Sequence, residues 1–336
     1  MNIINDINSL ISNNNLLLQD WLEDKNRLAE PPFYTSTDIR VSEKKIAAVD
    51  TNIFPAGFNN LSEDFINIAS ENVAEFFNKN ESKIDKVLII PELHTRNPFY
   101  WDNVLALQKI LDNSGVQSRV GLIVEDDSEF TLDFDSSSGV KVNASTIRRD
   151  KSKVMIKDFI PDLILINNDF SNFFPTILSN ISQVIVPPIE VGWHTRKKNI
   201  HFLFYNELVD EVCSLLNIDS DIFSLRTELV EKVDIDNIQD RARVAQIANK
   251  QLALLNKDNL NSKVFIKNNS GTYGMSVMSI GSDKDFIDLN SGGRKKMKIS
   301  KGGIILKDLI VQESVPTIYG NKEPVYYLID NKVSGA

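Results

Sequence analysis

Four short, fully apolar runs between residues 86 and 187 restrict the fold more than any other feature of the sequence. They lie in the segments 86–91, 119–124, 162–167 and 183–187. Short apolar runs without polar alternation are typical of strands that are covered on both faces. A helical pattern at 98–113 separates the first two runs. The sequence therefore predicts an α/β fold built on a mostly parallel, doubly wound sheet.

Polar residues follow the predicted strands where those strands end. The segment 45–50 ends at an aspartate and continues into a loop rich in Asn, Pro and Gly. Ligands bind at the carboxyl edge of α/β sheets, so a ligand site is one interpretation. A connecting turn, in which Asn and Gly serve the backbone, is the other. The candidate ligand residues are Asp50, Asn52, Asn59 and Asn60.

The string His-Thr-Arg occurs at 94–96 and again at 194–196, each time shortly after an apolar run. Arginine offers a planar fork to carboxylates, so the two copies suit recognition of an acidic substrate. Coincidence, with solvated arginines, is the alternative, but the position at strand ends favours function. The candidates here are His94, Arg96, Asn97, His194 and Arg196.

A strand that ends on a lysine, followed by a small-residue loop, is predicted at 263–278. Lys267 would add a point charge to loop amides that converge on a phosphate, as in a nucleotide clamp. The loop matches neither the P-loop nor the dinucleotide-binding motif, and an ordinary hairpin is the alternative. The candidate nucleotide-binding residues in this segment are Lys267, Ser270, Gly271, Thr272, Tyr273, Gly274 and Met275.

A second candidate nucleotide segment is the apolar strand at 308–315. Gln312, Glu313 and Val315 would offer backbone groups and an acid to an adenine edge and a ribose. The basic run at 294–301 is interpreted as a solvated face, with a flap over bound phosphates as the alternative.

The remaining segments predict supporting structure. We expect residues 1–30 to form a helix with a packed leucine-rich face. We expect residues 126–153 to be surface elaboration and residues 201–255 to be a helical block. A strand at 324–330 turns at Asn331 into a returning strand.

Composition limits the function classes. The chain has 336 residues and a net charge of -9, which argues against general nucleic-acid binding. A single cysteine and three histidines leave little for a zinc site or a disulfide. Apolar runs are too short to cross a bilayer, and a signal-peptide pattern is not seen, so the predicted compartment is the cytoplasm.

The order of these features resembles the ATP-grasp fold, and within it the glutamate–cysteine ligases of the proteobacterial, iron-oxidiser type. The segments that carry the resemblance are Pro31–Tyr34, Val49–Leu61, Glu92–Asn97, Gly192–Lys197, Gly271–Met275 and Val311–Glu313.

The resemblance implies ATP-dependent joining of the γ-carboxylate of L-glutamate to the amine of L-cysteine through an acyl phosphate, with ATP and Mg²⁺ as cofactors. Lys267 and Arg40 would then be catalytic. It implies small-molecule partners, no nucleic acid and no membrane, and leaves a homo-oligomer open. The alternatives are another carboxylate–amine ligase such as a glutathione synthetase, or a nucleotide-binding module without turnover.

The same resemblance implies three domains. These are a Rossmann-like substrate domain at 1–205, a helical linker with an ATP-grasp lid at 206–310, and the start of a second ATP-grasp subdomain at 311–336. We expect the ATP-grasp module to be truncated here, with the Mg²⁺ ligands beyond Ala336.

Overall fold

The computed structural model describes residues 3–29, 31–79, 83–93, 97–124, 128–170, 175–192, 195–255, 262–270, 276–298, 307–320 and 322–336. The chain divides into two compact units. Unit 1 comprises Met1–Ala29, Ile39–Val49 and Trp193–Glu323, and unit 2 comprises Glu30–Asp38, Asp50–Gly192 and Pro324–Ala336. The predicted division into three domains stays a prediction.

Mixed α/β structure fills both units. Within the described ranges the α-helices are α1 (Ile3–Asn13), α2 (Asn15–Leu28), α3 (Glu63–Lys79), α4 (Pro98–Asn113), α5 (Lys198–Leu216), α6 (Ile238–Leu255), α7 (Lys284–Ile287) and α8 (Ser291–Lys298). The strands are β1 (Tyr34–Val41), β2 (Ile46–Asn52), β3 (Lys86–Pro91), β4 (Gln117–Leu122), β5 (Thr131–Asp135), β6 (Lys141–Thr146), β7 (Arg148–Asp150), β8 (Lys153–Met155), β9 (Leu163–Asn167), β10 (Val184–Val186), β11 (Thr227–Val230), β12 (Val264–Asn268), β13 (Val277–Ile280), β14 (Leu309–Glu313), β15 (Val325–Ile329) and β16 (Lys332–Gly335).

The predicted parallel sheet is the centre of unit 2. Its strand order is β10-β9-β3-β4-β6-β5, and every neighbouring pair except β5 with β6 is parallel. The chain proceeds from β3 to β4 on one side and later returns to β9 on the other side. The strand order therefore reverses between β3 and β9, which is the kind of position where α/β sheets bind ligands.

Residues 126–153 are more than surface elaboration, and that expectation was wrong. They supply β5 and β6, and β6 pairs in parallel with β4, with Val120 opposite Ala144. Val142 and Ala144 are buried, which is why this short run joins the sheet.

Helices α3 and α4 cover one face of this sheet. Ile66 and Val73 of α3 and Leu107 of α4 pack in one cluster with Val87 and Ile89 of β3. The opposite face is covered by residues from the β7–β8 hairpin and from loops, including Val154 and Ile189. Within the described residues, no α-helix contributes to that second cluster.

Unit 1 contains an antiparallel sheet of order β11-β14-β12-β13. Val244, Ala248 and Leu252 of α6 pack against Val264 and Ile266 of β12. Strand β11 corrects the prediction that the block 201–255 is helical throughout. Thr227 to Val230 pair with β14, because the sheet edge can bury a short β-branched segment that helical spacing alone does not distinguish.

A further sheet has the order β16-β15-β1-β2. Strand β15 pairs with β1 from Tyr34 opposite Ile329 to Asp38 opposite Val325. The predicted strand, turn and returning strand near the end of the sequence are confirmed as β15 and β16.

Helix α2 does not form the predicted packed face. In α2 no side chain is buried, and Leu16 and Leu28 are 77% and 80% exposed. Among the described residues, no helix is both long and apolar enough to cross a membrane.

Candidate functional site

Lys267 lies near the end of β12, and its ammonium group is oriented by neutral oxygens. Its Nζ donates to Oε1 of Gln312 at 2.7 Å and to the carbonyl of Val49 at 3.4 Å. It also lies 5.5 Å from the centre of the Phe265 ring. Nε2 of Gln312 donates to Oγ1 of Thr227 at 3.0 Å, which fixes the amide. The Gln312 and Val49 oxygens orient the ammonium group.

Strand alternation defines which side of the sheet these groups share. Phe265 is paired with Gln312, whereas Val264, on the α6 side, is paired with Glu313. Neighbouring residues of a strand point to opposite faces. Lys267 and Gln312 therefore share the face of the sheet away from α6, and Glu313 points to the α6 side.

The Glu313 carboxylate is engaged inside the protein. It is buried and forms an ion pair through Oε1 with Lys45. The same oxygen accepts from the backbone N–H of Arg226 at 3.2 Å, and Oε2 lies 3.8 Å from Nη1 of Arg226. Lys45 and Arg226 thus balance the charge of this carboxylate within unit 1, so we do not expect its oxygens to be the first groups that meet a ribose.

A cavity of about 780 Å³ adjoins Glu313 within unit 1. Lys45 and Lys263 lie on its polar side, and Leu254, Leu255 and Val315 supply apolar wall. The end of β14, from Glu313 to Val315, therefore borders this cavity.

The loop after β12 is tied to the start of α5. The backbone N–H of Lys198 donates to the carbonyl of Asn269 at 2.9 Å, and the Asn199 and Asn269 side chains bond at 2.7 Å. Lys197 donates from Nζ to Oγ of Ser270 at 2.6 Å. These bonds place a second lysine, Lys197, at the loop that the sequence predicts to bind a nucleotide.

Sequence reasoning missed Lys197. The signal was its position directly after the second His-Thr-Arg string, where Arg196 is half-buried in the segment that leads into α5. Lys197 itself is the residue immediately before α5.

Several predicted site residues lie outside the described residues. They are His94, Arg96, His194, Gly271, Thr272, Tyr273, Gly274 and Met275.

The loop after β2 in unit 2 has a buried side and an accessible side. Phe54, Pro55 and Phe58 are buried, whereas Asn59 is half-buried and Asn60 is exposed. Gly57 at its centre has φ +118°, and a Cβ there would lie 2.3 Å from the Tyr327 hydroxyl. Glycine is thus required by both the backbone and the close approach.

The other loop candidates lie close to the strand. Asn52 is half-buried at the end of β2. Asp50, two residues before it, accepts the Thr51 N–H on Oδ1 at 3.1 Å. Phe54, Pro55 and Phe58 therefore give the loop an apolar underside, and its polar side chains are more accessible.

A buried polar network supports that underside. The Asn167 amide donates from Nδ2 to the Pro55 carbonyl and to the Tyr34 hydroxyl, both at 2.9 Å. Its Oδ1 accepts from Nδ2 of Asn103 at 3.1 Å and from the Tyr100 hydroxyl at 3.0 Å. Oδ1 of Asn103 in turn accepts the N–H groups of Gly57 and Phe58 at 2.9 and 3.0 Å.

Both tyrosines of this network remain protonated. Burial raises the pKa of Tyr34 far above its ordinary value, and the hydrogen bond with Asn167 offsets this in part. Burial likewise raises the pKa of Tyr100. The hydroxyls are consequently neutral hydrogen-bonding groups, not bases.

Two other candidates have structural partners. Asn97 caps α4, since its Oδ1 accepts the Phe99 N–H at 3.1 Å. Arg40 forms an ion pair with Glu323 within unit 1.

The described residues contain no cluster of three or more His, Cys, Asp or Glu side chains that could hold a metal ion.

Comparison with known proteins decides the family. A sequence profile of the GshA glutamate-cysteine ligases matches residues 8–336. The chain belongs to the glutamate–cysteine ligase family. This ligase is therefore an ATP-dependent carboxylate–amine ligase of glutathione biosynthesis. A search of curated protein sequences finds no significant match.

One solved structure agrees with this family. The ligase is similar to a crystal structure from Methylobacillus flagellatus KT whose assignment as a γ-glutamylcysteine synthetase is provisional. The TM-score is 0.87 at 32% identity, with 98% of this chain and 80% of that chain covered.

Two more distant structures have TM-scores too low to support an argument. They are a glutathione synthetase-like effector from Globodera pallida (0.45, 9% identity, 85% and 61% covered) and D-alanyl-alanine synthetase A from Vibrio cholerae (0.40, 9% identity, 69% and 59% covered).

Proposed function

We propose that unit 1 of the ligase binds ATP on the face of the antiparallel sheet that carries Lys267. The observation that supports this most is the Lys267 ammonium group, oriented at 2.7 Å by the Gln312 amide and next to the Phe265 ring. A cation held in place offers charge to a transferring phosphoryl group without a reorganisation cost. Ser270, the segment 271–275 and Lys197 would contact the phosphates.

The base of ATP is proposed to bind along the end of β14. The Gln312 amide and the backbone from Glu313 to Val315 would meet the adenine edge. We assign the Glu313 contribution to its backbone, because Lys45 already engages its carboxylate. These groups belong to an ATP-grasp module that, in this proposal, follows a Rossmann-like pre-ATP-grasp unit.

The amino acids are proposed to bind to the polar residues that follow the strands. Arginines would hold carboxylates and acids would hold ammonium groups. The proposed residues are Arg40, Asp50, Asn52, Asn59, Asn60, His94, Arg96, Asn97, His194 and Arg196. The substrates are L-glutamate and L-cysteine, and the proposed compartment is the cytoplasm.

The proposed chemistry proceeds in two steps. The γ-carboxylate oxygen of glutamate attacks the terminal phosphorus of ATP, and ADP leaves. The cysteine amine then attacks the acyl carbon, loses a proton and expels phosphate. Lys267 would bind the phosphate oxygens in both steps, where negative charge collects. When bound, Mg²⁺ would neutralise charge on the phosphates.

The substrate assignment is tested by phosphate release from ATP. Release with L-glutamate plus L-cysteine, forming γ-glutamylcysteine, is the expected result. Phosphate release only with γ-glutamylcysteine plus glycine would show that these two compounds, and not glutamate and cysteine, are the substrates. ATP-dependent stabilisation without turnover on either pair would leave a nucleotide-binding module.

The nucleotide assignment predicts the effect of Lys267→Ala. At ATP about 100-fold above its Kd, binding stabilises a protein by about 2.7 kcal/mol, and we expect the variant to lose most of this. The measurement is the ATP-induced shift in Tm. Lys250→Ala, on the exposed side of α6, is the matched control and should retain the shift. An unchanged shift in Lys267→Ala would remove this lysine from the nucleotide site.

A further inference from the structure

The side chains of the buried polar network hold the loop 52–60 of unit 2 through hydrogen bonds to its backbone. All three hydrogen bonds from the network end on backbone atoms, namely the Pro55 carbonyl and the N–H groups of Gly57 and Phe58. The network therefore fixes the path of the loop, whatever side chains the loop presents on its accessible side.

The two asparagines of this network are fully buried. Asn103 is 1% exposed and Asn167 is 3% exposed. Asn167 uses all of its hydrogen-bonding capacity, with two donated and two accepted bonds. An apolar side chain would fill the same space without desolvating an amide, so packing alone does not account for the pair.

The position of Asn167 connects the network to the strand reversal of the sheet. It is the last residue of β9, next to β3, and the Tyr100 hydroxyl accepts the N–H of Glu92 just after β3. The loop underside is thus joined to the carboxyl ends of the two strands between which the order reverses.

We propose that Asn103 and Asn167 are positioning residues for amino-acid substrate binding, which hold the loop 52–60 in the conformation that receives the substrate. This rests on the proposed function, in which Asn52, Asn59 and Asn60 bind an amino acid. Asn103 acts most directly, since one oxygen accepts two consecutive loop N–H groups. Loss of that oxygen removes the acceptor for the N–H groups of Gly57 and Phe58. We expect the loop to move so that these groups find other acceptors.

The test compares Asn103→Leu with Asn72→Leu. Asn72 is also a buried amide of unit 2, but it donates to the Ser334 hydroxyl at 3.0 Å instead of serving the loop. We expect both variants to lower Tm. Only Asn103→Leu should raise the KM of an amino-acid substrate, by about tenfold, which corresponds to about 1.4 kcal/mol. The KM for ATP should stay unchanged.

A conservative variant separates positioning from stability. Asn103→Asp keeps an oxygen for the Gly57 and Phe58 N–H groups and loses the donor to Asn167. We expect a lower Tm with an amino-acid KM within about twofold of wild type, because charged acceptors hold backbone N–H groups well. Equal amino-acid KM values in Asn103→Leu and Asn72→Leu would overturn the proposal.

Two further arms keep the test decisive. If Asn103→Leu does not fold, Gly57→Ala moves the same loop while leaving both asparagines in place, and an unchanged amino-acid KM there overturns the proposal. If wild type turns over γ-glutamylcysteine and glycine instead of glutamate and cysteine, the substrate assignment fails. The same KM comparison is then made with that pair, so the positioning role is decided separately.

Discussion

At the scale of single residues, the Lys45–Glu313 pair shows how the end of β14 is organised. The Glu313 side chain is 1% exposed and that of Lys45 is 13% exposed. Nζ of Lys45 also lies 3.6 Å from Asp221, so the lysine serves two acids. A buried charge without its partner is strongly destabilising, whereas removal of both charges together is often tolerated.

Lys45→Met should therefore lower the free energy of unfolding by about 3 to 5 kcal/mol. The double variant Lys45→Met/Glu313→Gln should recover most of this loss, because the buried acid is then neutral. Urea denaturation of the two single variants and the double variant measures the coupling. Additive losses would show that the two side chains do not stabilise each other.

Residue roles of this kind were only partly predictable from sequence. The lysine at the end of β12 and the glutamine of β14 could be selected because each lies in a recognisable apolar strand. The role of Asn103 could not be predicted, because the sequence shows only one polar residue within the apolar pattern of a helix. Its partner Asn167 lies 64 positions away, and only the folded chain brings the two amides together.

At the scale of elements, α4 is joined to the turn between β5 and β6 by Asp102. Its Oδ2 accepts the N–H of Ser137 at 3.1 Å and its Oδ1 accepts that of Ser138 at 3.2 Å. Burial raises the pKa of this carboxyl, but the hydrogen bonds from Ser137, Ser138 and Ser136 outweigh burial and lower it to about 2.

The lowered pKa of Asp102 predicts a pH dependence. The pKa in the folded protein lies below the ordinary aspartate value of 3.8, so the carboxylate stabilises the fold above pH 4, and this stabilisation is lost as pH falls towards 2. We expect Asp102→Asn to cost about 1 kcal/mol at pH 7 after allowance for solvent screening. Its stability should also fall less steeply than wild type between pH 4 and 2. Parallel pH profiles in urea denaturation would contradict this.

Elements with strong local patterns were predictable, and elements defined by partners were not. The strands β3 and β9, with their apolar runs, and the helix α4 were predicted within a few residues. Strand β11 was assigned to a helix, because its apolar spacing over a few residues fits either structure and only pairing with β14 decides. The apolar side of α2 was predicted to pack but is exposed, since composition does not show whether a partner surface exists.

At the scale of the whole molecule, residues far apart in sequence complete one unit. Strand β15 pairs with β1 on one side and β16 on the other, and Tyr327 and Ile329 belong to the same core cluster as Val87 and Ile89 of β3. That core cannot form fully from residues 50–192 alone. No sequence pattern predicted this pairing, because each strand is plausible by itself.

The shared core predicts how far a local break spreads. Leu328→Pro removes a backbone donor in the central strand β15, and we expect amide-exchange protection to fall in β3 as well as in β1. Val333→Pro lies on the edge strand β16, is 56% exposed, and should have a smaller effect. Hydrogen exchange resolved by segment measures both. Undiminished protection of β3 in Leu328→Pro would show that the hairpin is an independent addition.

The pairing of Tyr34 with Ile329 also has a consequence during protein synthesis. The two residues are 329 minus 34, or 295, positions apart, so ribosomes adding about 5 to 20 residues per second need roughly 15 to 60 s to make the second after the first. Throughout that interval one edge of β1 lacks its strand partner and is open to pairing with other chains. Until β15 leaves the ribosome, the nascent ligase must therefore keep this edge of β1 from pairing with other chains.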